Sequence, residues 1–244
     1  MNVYGVLSVA SGTTTTLMPC RLSPGFLPMN LTTHPMLSGY GLGACSDGKN
    51  TGFLFYLANV SKSQVGIYKT TITSQQNSPP APTPVSSFAF QVNPTSRLGA
   101  VYGNLADTAG PTAYVVFQDS QNALHLAASD GTLNLLVTPA GNPAMANTPV
   151  AYFPLGNQLI VYYFNSEATT IVYRVNILSA LKQAEHQTLS EMPTPNGHTQ
   201  LTAVLNPATV VTNSSGTSGT AFVSYIANGG GSIGTWADEV TTAS

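Results

Sequence analysis

Charged residues are scarce in this chain. Asp, Glu, Lys and Arg make up 7% of the 244 residues, against about 25% in a typical soluble domain. The 7 Lys plus Arg are scattered between Arg21 and Lys182, and the net charge is −2. Because binding a phosphate backbone draws on several clustered cations, nucleic acid is excluded as a partner. The surface must consist largely of Thr, Ser, Asn, Gln and Gly, which fits neutral partners.

Long apolar runs are also missing. A membrane helix needs about 18–20 consecutive apolar residues, and the densest run here is only Leu159 to Phe164. No membrane partner is therefore predicted. The apolar stretch from Met1 to Gly12 lacks a basic segment before it, so it does not resemble a signal peptide.

Cysteine is limited to Cys20 and Cys45, which predict either one disulfide or two free thiols. Glycosylation sequons begin at Asn30, Asn59 and Asn213. Together with the low charge they favour an extracellular or secretory location. A native start at Met1 would instead favour the cytoplasm.

Catalytic and metal-binding motifs are absent from the sequence. The 4 His have no paired spacing that suits zinc, and no Gly-x-Ser-x-Gly elbow occurs. We therefore predict no metal and no cofactor, and assign no catalytic residue. Asp238 and Glu239 are adjacent near the C-terminus, where neighbours on a strand point to opposite faces. They are interpreted as a solvated tail.

Four apolar strands that end in an aromatic residue recur along the chain, and a polar turn and a further strand follow each. Recurrence at this interval is typical of propeller blades with loops of varying length. The sequence predicts an all-β fold, a β-propeller of about four to five four-stranded antiparallel blades in a single domain. The predicted repeats are 36–95, 96–146, 147–199 and 200–244, and the four strands are Phe53–Tyr56, Tyr114–Phe117, Ile160–Tyr163 and Phe222–Tyr225.

The two ends of the chain leave the closure of the ring open. The last repeat stops after its third strand, whereas residues 1–35 contain two strand-like stretches. An N-terminal strand could complete the final blade and cover its edge. Two alternatives are a homo-oligomer whose subunits complete one another and a shortened relative of a larger propeller. Ile177 to His186 is compatible with one short helix or with a polar loop.

One repeat carries a family resemblance. The stretch Tyr114-Val-Val-Phe-Gln-Asp-Ser-Gln-Asn-Ala-Leu-His125, followed by Ser129-Asp-Gly131, resembles the repeat of the fungal fucose-lectin-type β-propellers. The resemblance implies sugar sites between blades, each formed by an Arg, a Glu and aromatic side chains. Leu126 stands where the acidic residue would be expected, and Arg174 is the polar anchor that remains.

Aromatic side chains supply the candidate contacts for a ligand, because they stack on sugar rings and line pockets for small molecules. Trp236 follows a glycine-rich turn, and Tyr173 lies beside Arg174 on the opposite face of its strand. The predicted ligand-binding residues are Trp236, Arg174, Tyr173, His125, Gln118, Asp119 and Tyr163. For Asp119, turn capping is the competing interpretation.

Two functions from different classes follow. The first is a non-catalytic glycan-binding module whose partner is a neutral glycan. The alternative is a biosynthetic cyclase of the hetero-Diels–Alder type, which would hold an apolar small molecule in a single apolar pocket; Tyr163, Tyr173 or His125 would be its hydrogen-bond donors. Several equivalent polar sites would favour the lectin, and one deep apolar pocket would favour the enzyme.

Overall fold

A computed structural model describes the greater part of the chain and shows an all-β protein. The described residues are 3–11, 14–23, 27–28, 35–37, 41–73, 81–85, 91–105, 110–131, 134–139, 143–156, 158–166, 172–177, 184–196 and 199–243. Within these ranges the helical structure is a single 3₁₀ turn at Pro207–Thr209. No helix in the described ranges is long and apolar enough to cross a membrane.

The strands form one three-stranded sheet and four four-stranded sheets, and neighbouring strands within them run antiparallel. The N-terminal sheet contains β1 (Val3–Ser11), β2 (Thr14–Ser23) and β3 (Leu27–Pro28). The next two sheets contain β4 (Leu42–Ser46), β5 (Thr51–Asn59), β6 (Val65–Thr73) and β7 (Thr83–Pro84), then β8 (Gly99–Gly103), β9 (Thr112–Gln118), β10 (Leu124–Ala128) and β11 (Asn134–Leu136). The last two contain β12 (Val150–Leu155), β13 (Gln158–Phe164), β14 (Val172–Ile177) and β15 (Ala184–Thr188), then β16 (Thr202–Leu205), β17 (Val211–Asn213), β18 (Gly216–Ile226) and β19 (Ile233–Ala243).

The predicted all-β fold of four-stranded antiparallel sheets is confirmed. Two details differ from the expectations. In the first repeat the outer strand is β7 at Thr83–Pro84, earlier in the chain than the outer strand that the pattern of residues 87–92 predicts; residues 87–90 lie outside the described residues. The helix considered for 177–186 is wrong at both ends, because Ile177 belongs to β14 and residues 184–186 belong to β15. Ring closure by the N-terminal strand and the single-domain boundaries stay predictions.

The chain divides into two compact units. The first comprises Met1–Tyr102, Ala113–Gln121 and Leu126–Asn134, and the second comprises the remainder. In the first unit, one face of β5 and β6 packs against β9 through side chains such as Phe55, Ile67 and Val115. In the second, β13 packs against β18 through Tyr162, Phe164 and Tyr225. Period-2 alternation of apolar residues produces both clusters, because every second side chain of a strand lies on the same face.

A buried hydroxyl recurs just before the first strand of three of the sheets. In each case it accepts a hydrogen bond from the backbone N–H at the end of the strand that pairs with the sheet's first strand, at 2.8–2.9 Å. Each hydroxyl also donates to the carbonyl of the residue that follows it. The hydroxyls belong to Ser96, Thr148 and Thr199, and the N–H groups to Gln118, Phe164 and Ile226. The repeats that the sequence predicts therefore also share a hydrogen-bonding pattern in the structure.

We expect Thr148→Val to lower the free energy of unfolding by about 1–3 kcal/mol, because a buried donor and a buried acceptor would lose their partner. Thr148 is fully buried, so water cannot replace the hydroxyl. Thr148→Ser keeps the hydroxyl and is the matched control. Urea denaturation checks the difference; equal stability of the valine and serine variants would contradict the role of this hydrogen bond.

Cys20 and Cys45 are free thiols. Burial raises the pKa of the Cys45 thiol to about 12. This thiol is therefore protonated and unreactive near neutral pH.

Candidate functional site

A polar pocket of about 400 Å³ lies in the second unit, between the outer strands of its two four-stranded sheets. Its walls come from β14 and β15 on one side and from β19 on the other. Every lining residue is polar, and the set is Arg174, Asn176, His186, Gln187, Glu239 and Thr241. The period-2 alternation of β14 places Arg174 and Asn176 on one face, and strand pairing sets Gln187 opposite Arg174.

Arg174 is the centre of the hydrogen-bond network. Its Nη1 donates to both carboxylate oxygens of Asp238, each at 2.7 Å, and to the backbone oxygen of Glu239 at 2.9 Å. Its Nη2 donates to Oε1 of Gln187. The hydroxyl of Tyr162 donates to Asp238 at 2.7 Å. The guanidinium is thus fixed from three sides by groups that belong to both sheets.

The ion pair is buried, because the side chains of Arg174 and Asp238 are each 7% exposed. Hydrogen bonds between charged groups are stronger than neutral ones. Among the residues that the structure describes, Nε of Arg174 finds no acceptor. This Nε is itself buried, so the guanidinium acts as a fixed cation in the wall of the pocket.

Two other titratable groups adjoin the network. Burial, and then the charge of Asp238, raise the pKa of the Tyr162 phenol well above its ordinary value, so Tyr162 remains a donor at physiological pH. Burial lowers the pKa of the His186 imidazole, so this residue is neutral at pH 7. The fixed charges of the site are therefore those of Arg174, Asp238 and Glu239.

Trp236 lies on the same face of β19 as Asp238 and is half-buried. Its ring stacks on Tyr225, with ring centroids 4.3 Å apart and an interplanar angle of 28°. Gly234 makes room for this ring, since a Cβ at Gly234 would lie 2.2 Å from it. The Trp236 ring is consequently held in one place beside the core of the second unit.

We expect Gly234→Ala to displace the Trp236 ring and to destabilise the fold by about 1–3 kcal/mol, the usual cost of overpacking. Trp236 is the single tryptophan of the chain, so its fluorescence reports the displacement directly. The emission maximum should shift to the red. An unchanged spectrum in Gly234→Ala would contradict the close contact.

Of the predicted residues, Arg174 lines this pocket, whereas Trp236 and the others are not among its lining residues. Tyr163 is fully buried, and Tyr173, 7% exposed, packs on it with ring centroids 5.6 Å apart. Both lie on the face of the sheet that Arg174 does not share. Gln118, Asp119 and His125 are also buried, and Gln118 and Asp119 belong to the first unit. Oδ1 of Asp119 accepts a hydrogen bond from the N–H of Gln121, which caps the turn.

The interpretation of Asp238 and Glu239 as a solvated tail is wrong for Asp238. The two side chains do lie on opposite faces, but Asp238 is buried and pairs with Arg174, whereas Glu239 is exposed. The alternation of Trp236, Asp238 and Val240 on one face of a strand was the signal available in the sequence. Gln187, Asn176 and His186 carried no comparable signal.

No known protein family and no curated protein matches the chain by sequence. The solved structures that match it in fold include three with TM-scores above 0.5. AofleA from Arthrobotrys oligospora has a TM-score of 0.58 and 13% identity over 99% of this chain and 70% of its own. A variant of AofleA with three arginines replaced by alanine has 0.58 and 14%, over 99% and 73%. The SapL1 lectin in complex with alpha methyl fucoside has 0.52 and 13%, over 99% and 81%. The repeated four-stranded sheets and these matches together show that the chain has the fold of the fucose-lectin-type β-propellers.

Proposed function

We propose that this protein is a non-catalytic glycan-binding protein and that the pocket beside Arg174 binds a neutral sugar. The observation that carries the proposal is the guanidinium of Arg174, which Asp238 and Gln187 hold in place in the wall of a polar pocket. A ligand that meets a preorganised donor loses less conformational freedom on binding. The fold shared with SapL1, a lectin solved in complex with alpha methyl fucoside, supports the same function.

The charges of the site favour a neutral ligand. Asp238 compensates the charge of Arg174, and Glu239 on the rim leaves the surroundings of the pocket negative by one charge. An acidic sugar would be repelled by Glu239. Sugar hydroxyl groups both donate and accept, and they match a site that places the amides of Asn176 and Gln187 and the hydroxyl of Thr241 beside Arg174.

Trp236 is proposed as an apolar contact for the same ligand. It lies two residues before Asp238 on the same face of β19 and is half-buried. Rings of this kind combine a large apolar surface with a polar N–H group. Tyr173, Tyr163, His125, Gln118 and Asp119 were predicted for ligand binding from the sequence, and this proposal assigns them no contact.

The experiment is a glycan-array screen of the purified protein, followed by calorimetric titration of the best neutral hit. We expect a defined neutral glycan to bind and Trp236→Ala to weaken it. Val211→Ala, an exposed apolar change on β17 that does not touch the lining residues, should bind as the wild type does. An array without any bound glycan would overturn the proposal.

The cyclase alternative requires an apolar pocket around its substrate. The pocket between β15 and β19 is lined by polar side chains, so no specific observation favours that function. A secretory route for the protein accords with the sequons at Asn59 and Asn213, both of which are exposed.

A further inference from the structure

A second cation occupies, in the sheet β4–β7, the position that Arg174 occupies in the sheet β12–β15. In both sheets the N–H of a loop residue donates to the carbonyl of a residue near the end of the second strand. These two carbonyls, of Leu57 and Phe164, define the alignment of the two repeats. The residue two positions before each carbonyl, and the residue that pairs with it on the third strand, then occupy equivalent positions in the two sheets. The aligned pairs are Leu57 and Phe164, Phe55 and Tyr162, Lys69 and Arg174, and Thr83 and Gln187.

The partner of this cation corresponds as well. Nζ of Lys69 donates to the backbone oxygen of Ser129 at 3.2 Å and to its Oγ at 3.3 Å. Ser129 pairs with Ala113, just as Asp238 pairs with Ala221. The equivalent loop N–H bonds in these two sheets go to the carbonyls of Gln118 and Ile226, and Ala113 and Ala221 precede those residues by the same number of positions. The contact between Lys69 and Ser129 is thus the counterpart of the buried ion pair, within the first unit.

The difference between the two contacts is one of charge. Asp238 compensates Arg174, whereas Ser129 is neutral, and in the described parts of the chain no carboxylate pairs with Lys69. Lys69 is half-buried and Ser129 is 6% exposed. An ammonium has three donors, and the contacts with Ser129 use two of them.

We propose that Lys69 and Ser129 form an anion-binding site for the carboxylate of an acidic sugar, such as a uronic acid. The third donor of the ammonium and the hydroxyl of Ser129 would hold the carboxylate through charge-assisted hydrogen bonds. Thr83 stands beside Lys69 on the neighbouring strand and adds a hydroxyl at the rim. This site shares no residue with the neutral-sugar pocket and does not depend on it.

The test compares glucuronate with glucose, two probes that differ in the carboxylate, by NMR titration of the intact chain at low ionic strength. We expect glucuronate to perturb the signals of Lys69 and Ser129 saturably and glucose to leave them unchanged. Lys69→Gln should weaken glucuronate binding by about tenfold or more, and Lys69→Arg should retain it. Ser129→Asp should abolish glucuronate binding, because the new carboxylate would form an ion pair with the ammonium of Lys69, as Asp238 does with Arg174.

Two measurements keep the proposal falsifiable if a variant folds poorly. Raising the salt concentration should weaken glucuronate binding to the wild-type chain, since an exposed ion pair is screened. Arg174→Lys should leave glucuronate binding unchanged, which separates this site from the neutral-sugar pocket. Glucuronate binding that equals glucose binding, or that persists in Lys69→Gln, would overturn the proposal.

Discussion

Replacing Arg174 with methionine is expected to lower the free energy of unfolding by about 3–5 kcal/mol, the cost of removing one partner from a buried ion pair. Asp238 would then remain buried with its charge uncompensated and with Tyr162 as its remaining side-chain donor. Chemical denaturation, followed by circular dichroism, measures the change. Asp238→Leu should lower the free energy of unfolding by a similar amount, because it leaves the guanidinium of Arg174 buried without its carboxylate partner.

The double variant decides whether the effect belongs to the pair. Arg174→Met combined with Asp238→Leu removes both charges, and apolar replacement of a buried pair is often close to neutral. We expect the double variant to recover most of the stability that either single variant loses. Additive losses in the double variant would show that the two residues act independently, contrary to the contacts at 2.7 Å.

Arg174→Lys should separate binding from folding. Lysine retains the charge and can still meet Asp238, but a single ammonium cannot replace a planar fork that also bonds to Gln187 and Glu239 in the wall of the pocket. We expect affinity for the neutral glycan to fall by at least about tenfold, equivalent to about 1.4 kcal/mol, with a smaller loss of stability than in Arg174→Met. Isothermal titration calorimetry measures it. Wild-type affinity in Arg174→Lys would contradict the assigned role.

The fold could be predicted from the sequence because the patterns that indicate it are local. Aromatic-ending strands and polar turns repeat along the chain, and alternation within strands such as Ile160–Tyr163 predicts the faces that pack. The repeated hydroxyls Ser96, Thr148 and Thr199 were not recognised, because the N–H groups they bind lie in another strand of the same repeat.

The candidate site was accessible only in part. Arg174 was identified as the polar anchor that the family resemblance leaves, and Trp236 because it follows a glycine-rich turn. Asp238 was misjudged because its partner lies 64 residues away in the chain, and its burial depends on how two sheets pack. The correspondence between Lys69 and Arg174 needs the strand pairing, since lysine and arginine stand at different distances from the closing aromatics of their repeats.

The most direct test of the account is the NMR signal of the Arg174 Nε–H group during titration with the neutral glycan that the array identifies. The buried guanidinium should give a slowly exchanging signal, assigned by its loss in Arg174→Lys. We expect this signal to shift saturably, with the same dissociation constant that calorimetry gives. A signal that stays in place while the protein becomes saturated with sugar would show that the ligand binds elsewhere and would contradict the assignment of the pocket.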